Sequence, residues 1–282
     1  MQLDSLLPLP AGSTLRQIQS DGATLAVLDV TPQGEIAGVV QLVHGFTGSK
    51  EDFWDLIPLL VTEGYRVIAH DHRGHNQSLP VATSEYSIEH FADDIIAIQD
   101  ELGITSTHLL GHSLGGMISR LAVLRHSSRF DSFTLFCTGP DASRDTSRYQ
   151  NLSNFINEKT MHEVWQQLVA QPDSDIAFGP SDSWPAHKKQ RWLNSDAAAI
   201  IATVNIIATE PDRTEELSSI DMPFHSVYGE FDDVWSPEKQ DEVAHRIGAP
   251  ISVITACGHC PNEDDPKATA KALIEFWNTS SS

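Results

Sequence analysis

The sequence is poor in cysteine and in positive charge, and it lacks any long apolar run. Three cysteines in 282 residues are too few for a disulfide scaffold. Because 18 Lys and Arg face 39 Asp and Glu, the formal charge is −21, and we expect no nucleic-acid partner. No apolar run reaches the roughly 18 residues that span a bilayer, and the first residues lack the features of a signal peptide. We therefore expect a cytoplasmic protein without stable membrane insertion.

The order of predicted elements indicates an α/β fold. Hydrophobic residues make up 40% of the chain, enough for one large domain or a core with an insertion. A hairpin is predicted over residues 14–30, with Asp21-Gly22 as its turn. Buried strands are predicted at 37–43, 65–69, 107–110, 132–137, 223–228 and 251–255, and helices at 50–62, 87–102, 114–125, 236–247 and 266–277. This alternation predicts a mostly parallel sheet of about eight strands with helices on both faces.

The rhythm changes between residues 139 and 213, where no strand-like run occurs. Helical patterns lie near 148–157, 160–170, 185–194 and 196–209, and Ser195 is a candidate cap for the last of them. We interpret residues 1–138 and 214–282 as two parts of one core, and 139–213 as a helical lid. A lid of this kind would cover the carboxyl edge of the sheet, where open α/β sheets bind ligands.

One pentapeptide between a predicted strand and a predicted helix indicates chemistry. Gly111-x-Ser113-x-Gly115 fits a nucleophile elbow, a sharp turn that presents a serine hydroxyl. Glycine is needed on either side because side chains there would clash with the neighbouring strand and helix. The following helix places its first amides beside the serine, where they can stabilise negative charge.

A serine nucleophile needs a base and an acid that orients the base, and two later loops supply them. Gly229-Glu230-Phe231-Asp232-Asp233 follows one predicted strand, and Ala256-Cys257-Gly258-His259 follows the last. The order Ser, Asp, His matches the α/β-hydrolase pattern. Both Asp232 and Asp233 are candidates, and we favour Asp232 because it comes three residues after Gly229, where the strand has just ended.

Two backbone amides are candidate donors to an oxyanion. The first is the amide of Leu114, directly after the serine. The second lies in the loop His44-Gly45-Phe46-Thr47-Gly48 after the strand at 37–43, and we assign it to the amide of Phe46. Together the amides would stabilise the charge that develops on a substrate carbonyl.

With these motifs in place, the chain resembles the α/β-hydrolase superfamily, in its serine esterase and monoacylglycerol-lipase-like branch. The resemblance runs from near residue 40 to near residue 260, through His44-Gly45-Phe46, Asp71-x-Arg73-Gly74-His75-Asn76-x-Ser78, Gly111-His112-Ser113-Leu114-Gly115-Gly116, Gly229-x-x-Asp232 and Gly258-His259. It implies a triad of Ser113, His259 and Asp232, an acyl-enzyme on Ser113, and no cofactor. The family usually has a second glycine at the position of Asn76. Asparagine is the residue that next best tolerates positive φ, so the turn can survive.

The resemblance implies a carboxylesterase or lipase acting on a small-molecule ester. A hydrolase of carbon–carbon bonds in diketones, or of enol-lactones, would use the same triad and remains an alternative. Packing within the lid is an equally good explanation for any one of its candidate pocket residues. The candidate lining of the substrate pocket is His112, Phe155, Met161, Trp165, Trp184 and Trp235, together with Phe46.

Two other motifs suggest different chemistry. Cys257-Gly258-His259-Cys260 has the C-x-x-C form of a dithiol redox site, but five residues separate it from the next predicted helix, and the acids among them would raise a thiol pKa. A disulfide between the two cysteines remains open. The histidines between positions 70 and 75 resemble a metal cluster, yet they surround Arg73, whose positive charge opposes a cation. We expect neither a redox function nor a metal, and a binding module without activity is disfavoured because every triad position is filled.

Overall fold

The computed structural model describes residues 7–141, 146–170 and 185–280, and an eight-stranded sheet runs through them. The strands are β1 Ser13–Ser20, β2 Ala23–Val30, β3 Gly38–Val43, β4 Tyr65–His70, β5 Thr107–His112, β6 Phe130–Phe136, β7 Phe224–Gly229 and β8 Ile251–Ile254. Their spatial order is β1-β2-β4-β3-β5-β6-β7-β8. Only the pairs β1–β2 and β2–β4 are antiparallel. The predicted mostly parallel sheet of about eight strands is confirmed.

Eleven α-helices lie in the described residues. They are α1 Ile57–Thr62, α2 Ile88–Glu101, α3 Leu114–His126, α4 Thr146–Glu158, α5 Met161–Ala170, α6 Pro185–Asn194, α7 Ala197–Thr209, α8 Thr214–Ser218, α9 Pro237–Ile247, α10 Pro261–Asp264 and α11 Pro266–Ser280. Short 3₁₀ turns occupy Lys50–Phe53, Thr83–Glu85 and Ser127–Arg129. None of the helices in these parts of the chain combines the length and the hydrophobicity that crossing a bilayer requires.

Two apolar clusters cover the two faces of the sheet. Leu109 and Leu110 are neighbours on β5, and they belong to different clusters because successive side chains of a strand point to opposite faces. The cluster around Leu109 contains residues of α2, α3 and α9. The cluster around Leu110 contains residues of α1 and α11, including the fully buried Trp277. Helices on both faces explain why the central strand β5 is buried along its whole length.

Some element boundaries differ from the predicted ones. The single helix predicted over residues 50–62 is a 3₁₀ turn followed by α1. Ser195 does not cap α7; the side chain of Asp196 accepts from the amide of Ala198 at 3.1 Å and does so instead. Ser195 is a structural link, since its hydroxyl donates to the carbonyl of Arg191 and accepts from the amide of Asn76.

The helices α4 to α7 form their own small core next to the sheet. Its fully or nearly buried members are Ile156, Val164, Trp165, Trp192 and Ile200. Phe46, which belongs to the loop after β3, packs against this core and also against the cluster around Leu109. The insertion is therefore in direct apolar contact with the loop that the sequence assigns to oxyanion binding.

Buried ion pairs fix α6 to the core. Arg191 pairs with Asp52, whose other carboxylate oxygen accepts from the amide of Ser49 at 3.3 Å. Lys188 binds Glu263 in α10 at 3.0 Å. Both cationic side chains are less than a tenth exposed. Since Asp52 follows the β3 loop and Glu263 follows His259, one helix of the insertion holds the segments on both sides of the expected site.

These ion pairs make a prediction about stability. Arg191→Met should lower the free energy of unfolding by about 3 kcal/mol, because it leaves Asp52 buried without its cation. The matched control is Lys189→Met, which removes an exposed cation from the same helix and should change the stability by less than about 0.5 kcal/mol. Urea unfolding of both variants measures the difference. Equal effects of the two substitutions would contradict a structural role for the Arg191 pair.

Candidate active site

Ser113 stands on a sharp turn between β5 and α3. Its backbone has φ 54° and ψ −118°, a conformation that non-glycine residues rarely adopt. Three hydrogen bonds hold it there: its amide donates to Phe136 O at 2.9 Å, and its carbonyl accepts from Thr138 Oγ1 at 2.8 Å and from the amide of Gly116 at 2.9 Å. The strain, of the order of 1–3 kcal/mol, is thus offset by contacts on both sides of the turn.

The glycines around Ser113 allow three chain segments to approach closely. A methyl group on Gly111 would lie 2.5 Å from the carbonyl oxygen of Gly115. A methyl group on Gly115 would lie 2.3 Å from the carbonyl oxygen of Val43, at the end of β3. Neither distance is possible for a real side chain, so both positions require glycine for a steric reason.

The loops after β7 and β8 also pack backbone against backbone. The amide of Phe231 donates to Cys257 O at 2.9 Å, and a methyl group on Gly229 would lie 2.0 Å from the carbonyl oxygen of Gly258. This close approach brings the aspartate loop and the histidine loop together at the carboxyl edge of the sheet.

His259 contacts Asp232 across these two loops. Its Nδ1–H donates to Asp232 Oδ1 at 2.9 Å, whereas Asp233 is exposed. Asp232 is buried and accepts further bonds from the amides of Val234 and Trp235 and from Gln240 Nε2, all at 3.0–3.1 Å. Burial raises the pKa of Asp232, but the hydrogen bond and charge of His259 and the two amides outweigh it and lower the pKa below its ordinary value. Asp232 is therefore ionised and has a fixed orientation.

His112 links the serine turn to the histidine loop. Its Nε2 lies 2.9 Å from the carbonyl oxygen of His259, and the two rings are 5.0 Å apart. Burial, and then the charge of His259, lower the pKa of His112 to about 4, so its ring is neutral near pH 7. The sequence analysis named His112 only as a pocket residue, since a contact across 147 positions leaves no local signal. This contact places His259 beside the residue that precedes Ser113.

The loop after β3 lies directly against Ser113. The position of a methyl group on Gly45 would be 3.2 Å from Ser113 Cβ and 3.1 Å from His112 Nδ1. Phe46 follows, half-buried, and Leu114, on the other side of Ser113, is buried at the first position of α3. The two segments that carry the expected oxyanion donors therefore meet at the serine.

Several buried histidines pack together next to the loop after β3. The ring of His44 packs against that of His72 with centroids 3.9 Å apart and a tilt of 48° between the planes. The amide of His72 donates to His44 Nε2 at 3.1 Å, and His44 Nδ1 therefore carries the proton that it shares with Gly45 O at 2.8 Å. Burial, then the charges of neighbouring histidines, lower the pKa of His44 and of His72 well below the usual range. These neutral rings fix the conformation of the loop.

The histidines at 70, 72 and 75 do not form a metal site in the described residues. Within those residues, three side chains of metal-ligand type come within 4.8 Å of one another only at His112, Cys137 and His259. The neighbouring charged residues serve the fold instead: Arg73 binds Asp94 through two hydrogen bonds of 2.9 and 2.6 Å. This geometry supports the structural interpretation of the motif.

Asp71 and Asn76 fix the turn that follows β4. Asp71 accepts from the amide and the ammonium group of the fully buried Lys50 at 2.8 and 2.9 Å, and from Asn76 Nδ2 at 3.1 Å. Asn76 has φ 44°, as expected for a residue in the place of a glycine. Its side chain also contacts Glu51 at 3.3 Å, so the amide contributes a bond that glycine could not make.

The candidate pocket residues fall into three groups. Phe155, Met161 and Trp165 pack in the small core of the insertion together with Phe46. Trp235 is buried outside the insertion, against Gly139. Trp184 lies outside the described residues. Trp192, which no sequence motif indicated, is buried in the same small core and donates from Nε1 to Met161 O at 2.8 Å.

The cysteine motif around His259 differs in one respect from the expectation. Cys260 stands directly before a four-residue helix, α10, so the expected separation from a helix is wrong. The thiols are nevertheless unsuited to redox exchange. Burial, then Asp264 and Asp265, raise the pKa of Cys257 to about 11, and burial, then Glu263 and Asp52, raise that of Cys260. Both are free thiols.

Known proteins resemble this chain in sequence and in fold. Residues 38–180 match the profile of the α/β hydrolase fold. A bifunctional esterase/perhydrolase from Acinetobacter calcoaceticus is 38% identical over 227 residues, which cover 76% of this chain and 80% of that protein. Among solved structures, an esterase from Exiguobacterium antarcticum has a TM-score of 0.77 at 21% identity, covering 94% of this chain and 99% of its own. An enol-lactonase from Burkholderia xenovorans LB400 has a TM-score of 0.77 at 19% identity, covering 94% and 100%.

The buried histidines make the stability of the protein sensitive to acid. Burial lowers the pKa of His70 to about 4, whereas a histidine in the unfolded chain titrates near 6.5. As the pH falls through this interval, the unfolded state binds a proton that the folded state excludes, so stability falls. In His70→Leu, the loss of unfolding free energy between about pH 7 and about pH 5 should be smaller than in the native protein by about 2 kcal/mol.

The control for this prediction is His245→Leu, on the exposed side of α9. Urea unfolding at the two pH values should give the same pH-dependent loss in this variant as in the native protein. If the unfolding free energy of His70→Leu falls with pH as much as that of the native protein, then His70 is not the source of the acid sensitivity.

Proposed function

The chain belongs to the α/β-hydrolase superfamily, and on that premise we propose that it is a serine hydrolase that cleaves carboxylic esters. The observation that carries the proposal is the 2.9 Å hydrogen bond from His259 to the ionised Asp232, formed beside the turn that presents Ser113. A hydroxyl, an imidazole and an orienting carboxylate are the components that acyl transfer requires.

In the proposed mechanism, Ser113 Oγ attacks the carbonyl carbon of the ester. His259 accepts the serine proton and then donates it to the alcohol that leaves, which produces an acyl-enzyme. Water, activated by the same imidazole, then attacks the acyl group and frees the serine. Asp232 keeps the proton of His259 on Nδ1 and stabilises the imidazolium that forms in both steps. No step needs a cofactor.

The proposed oxyanion donors are the amides of Phe46 and Leu114. The closeness of the Gly45 backbone to Ser113 Cβ supports this role, since it brings the residue before Phe46 next to the serine that precedes Leu114. An oxyanion donor typically supplies about 3 kcal/mol of transition-state stabilisation. The buried ring of His44 and the Asp52 carboxylate hold this loop in place, so the donors would be fixed before substrate binds.

We assign the role of a lid to the helical insertion. Asp196 and its neighbours tie α7 to the core, since the amide of Asp196 donates to Gly74 O at 2.7 Å and its carboxylate accepts from Tyr86 at 2.6 Å. The ion pairs of Lys188 and Arg191 tie α6. The apolar side of α4 and α5, with Phe155, Met161 and Trp165, would therefore be the part that moves to admit an acyl chain and that lines its pocket.

One relative supports ester cleavage over the alternatives. It is the esterase/perhydrolase that is 38% identical to this chain. The enol-lactonase resembles this chain in fold, at 19% identity. Hydrolysis of an enol-lactone or of a carbon–carbon bond in a diketone remains the second candidate, since the same triad and oxyanion donors would serve it. Substrates of the two kinds, offered to the same enzyme, discriminate between them.

The first functional prediction concerns Ser113. Ser113→Ala should reduce the turnover of p-nitrophenyl esters by at least about 10⁴-fold, because no other group can form the acyl-enzyme. A series from acetate to dodecanoate, run beside enol-lactones and diketones, measures the rates. Ser128→Ala removes an exposed hydroxyl from the turn after α3 and serves as the control. Undiminished ester turnover in Ser113→Ala would refute the proposal, and exclusive turnover of diketones would redirect it.

The second functional prediction separates two neighbouring carboxylates. Asp232→Asn should lower kcat by about 10⁴-fold, since the amide favours the wrong tautomer of His259. Asp233→Asn alters an exposed side chain next to it and should leave kcat near the native value. Steady-state kinetics on the best ester measures both. A large loss in Asp233→Asn and none in Asp232→Asn would show that the proposed acid is the wrong one.

A further inference from the structure

The thiol of Cys137 is buried next to the proposed triad and has no part in the proposed mechanism. Cys137 follows β6, is fully buried, and has φ 48°. Burial, and then the neighbouring Asp232 carboxylate, raise the pKa of its thiol well above the ordinary value. One ligand atom from each of His112, Cys137 and His259 lies within 4.8 Å of the other two. The carboxyl ends of β5 and β6 and the loop after β8 thus bring together two imidazoles and a thiol.

This set of ligands fits a cation of intermediate softness. Zinc binds thiolate sulfur at about 2.3 Å and imidazole nitrogen at about 2.0–2.1 Å, with tetrahedral geometry. Ligand atoms around such an ion lie about 3.3–3.6 Å apart. The three atoms lie within 4.8 Å of one another, so they would need to approach one another by at most about 1.5 Å. Hard cations such as magnesium and calcium prefer oxygen ligands and would not be held by this group.

The hydrogen bonds of His112 leave one of its ring nitrogens without a partner. Its Nε2 lies 2.9 Å from the carbonyl oxygen of His259. Its Nδ1 is buried and has no hydrogen-bond partner in the described residues. A buried polar atom without a partner is unfavourable, and a turn of the ring that brings this nitrogen to a cation at the cluster would give it one.

We propose that His112, Cys137 and His259 form a binding site for Zn²⁺ or Cd²⁺ that inhibits the enzyme, an inference whose inhibitory part rests on the proposed function. Binding releases the thiol proton of Cys137 to solvent, and the lone pairs of the two imidazoles and the sulfur form bonds to the cation. No oxidation occurs. The fourth position is open to water or to Asp232. His259 is then held by the metal and cannot transfer a proton, so ester cleavage stops until the metal is removed.

The binding experiment is designed so that it does not depend on activity. It uses the Ser113→Ala protein, freed of metal with EDTA, and titrates it with Cd²⁺ while the ultraviolet charge-transfer band of a cadmium–thiolate bond is recorded. The two other cysteines provide matched controls. Cys137→Ala should remove the band or weaken the affinity at least about tenfold, whereas Cys257→Ala and Cys260→Ala should retain it. A band that persists in Cys137→Ala, or one that depends on Cys257 or Cys260, overturns the proposal.

The second arm measures inhibition in protein with an intact Ser113. Zn²⁺ should suppress ester turnover, EDTA should restore it, and Cys137→Ala should need at least about tenfold more Zn²⁺ for half-inhibition, relative to its own metal-free rate. Equal sensitivity of Cys137→Ala overturns the proposal. If Cys137→Ala does not fold, His112→Gln replaces it, and undiminished Cd²⁺ binding in that variant has the same meaning. Cadmium binding in a protein that cleaves no ester would reject the proposed function and leave the metal site standing.

Discussion

The close approach of α3 to the end of β3 is the constraint on which the rest of the site depends. Gly115 lies so near the carbonyl of Val43 that a single methyl group would overlap it. Because the two segments touch there, the loop that continues from β3 must pass beside Ser113, and the first amides of α3 must face the same space. The positive φ of Ser113 is the conformation that lets the chain turn within that contact. The contact between Gly115 and Val43 thus accounts both for the strained backbone of Ser113 and for the position of the candidate oxyanion loop beside it.

Buried charge connects this arrangement to the helical insertion. Within the residues whose burial the structure describes, five lysines and arginines are buried, namely Lys50, Arg73, Arg120, Lys188 and Arg191. Each of them pairs with a carboxylate: Lys50 with Asp71, Arg73 with Asp94, Arg120 with Glu210, Lys188 with Glu263 and Arg191 with Asp52. Six carboxylates are buried in the same residues, namely Asp29, Glu51, Asp71, Asp94, Glu210 and Asp232, so the buried charges nearly cancel and the exposed surface keeps the negative excess of the composition. Such a surface favours neutral substrates over anionic ones during encounter.

Much of the fold follows from local signals in the sequence. Apolar runs locate every strand to within a few residues, and the Asp21-Gly22 turn specifies the hairpin, because these signals depend only on neighbouring residues. The contact of His259 with Asp232 could be anticipated because the order of the motifs indicates which strand ends are adjacent. The contact of His112 with the backbone of His259, and the burial of Trp192, could not be predicted. Each depends on packing between segments far apart in sequence, and the short helix after Cys260 depends on the same packing.

The side chain and the backbone of Phe46 belong to different parts of the proposed machinery. Its ring packs both against the cluster around Leu109 and in the small core of α4 to α7. Its amide is a proposed oxyanion donor. Any change in the packing of α4 to α7 that moves the ring will also move the amide relative to Ser113. An oxyanion donor loses most of its effect when it is displaced by a fraction of an ångström. On the proposed function, substrate selection by these helices and the rate of the chemical step would therefore be physically coupled through Phe46.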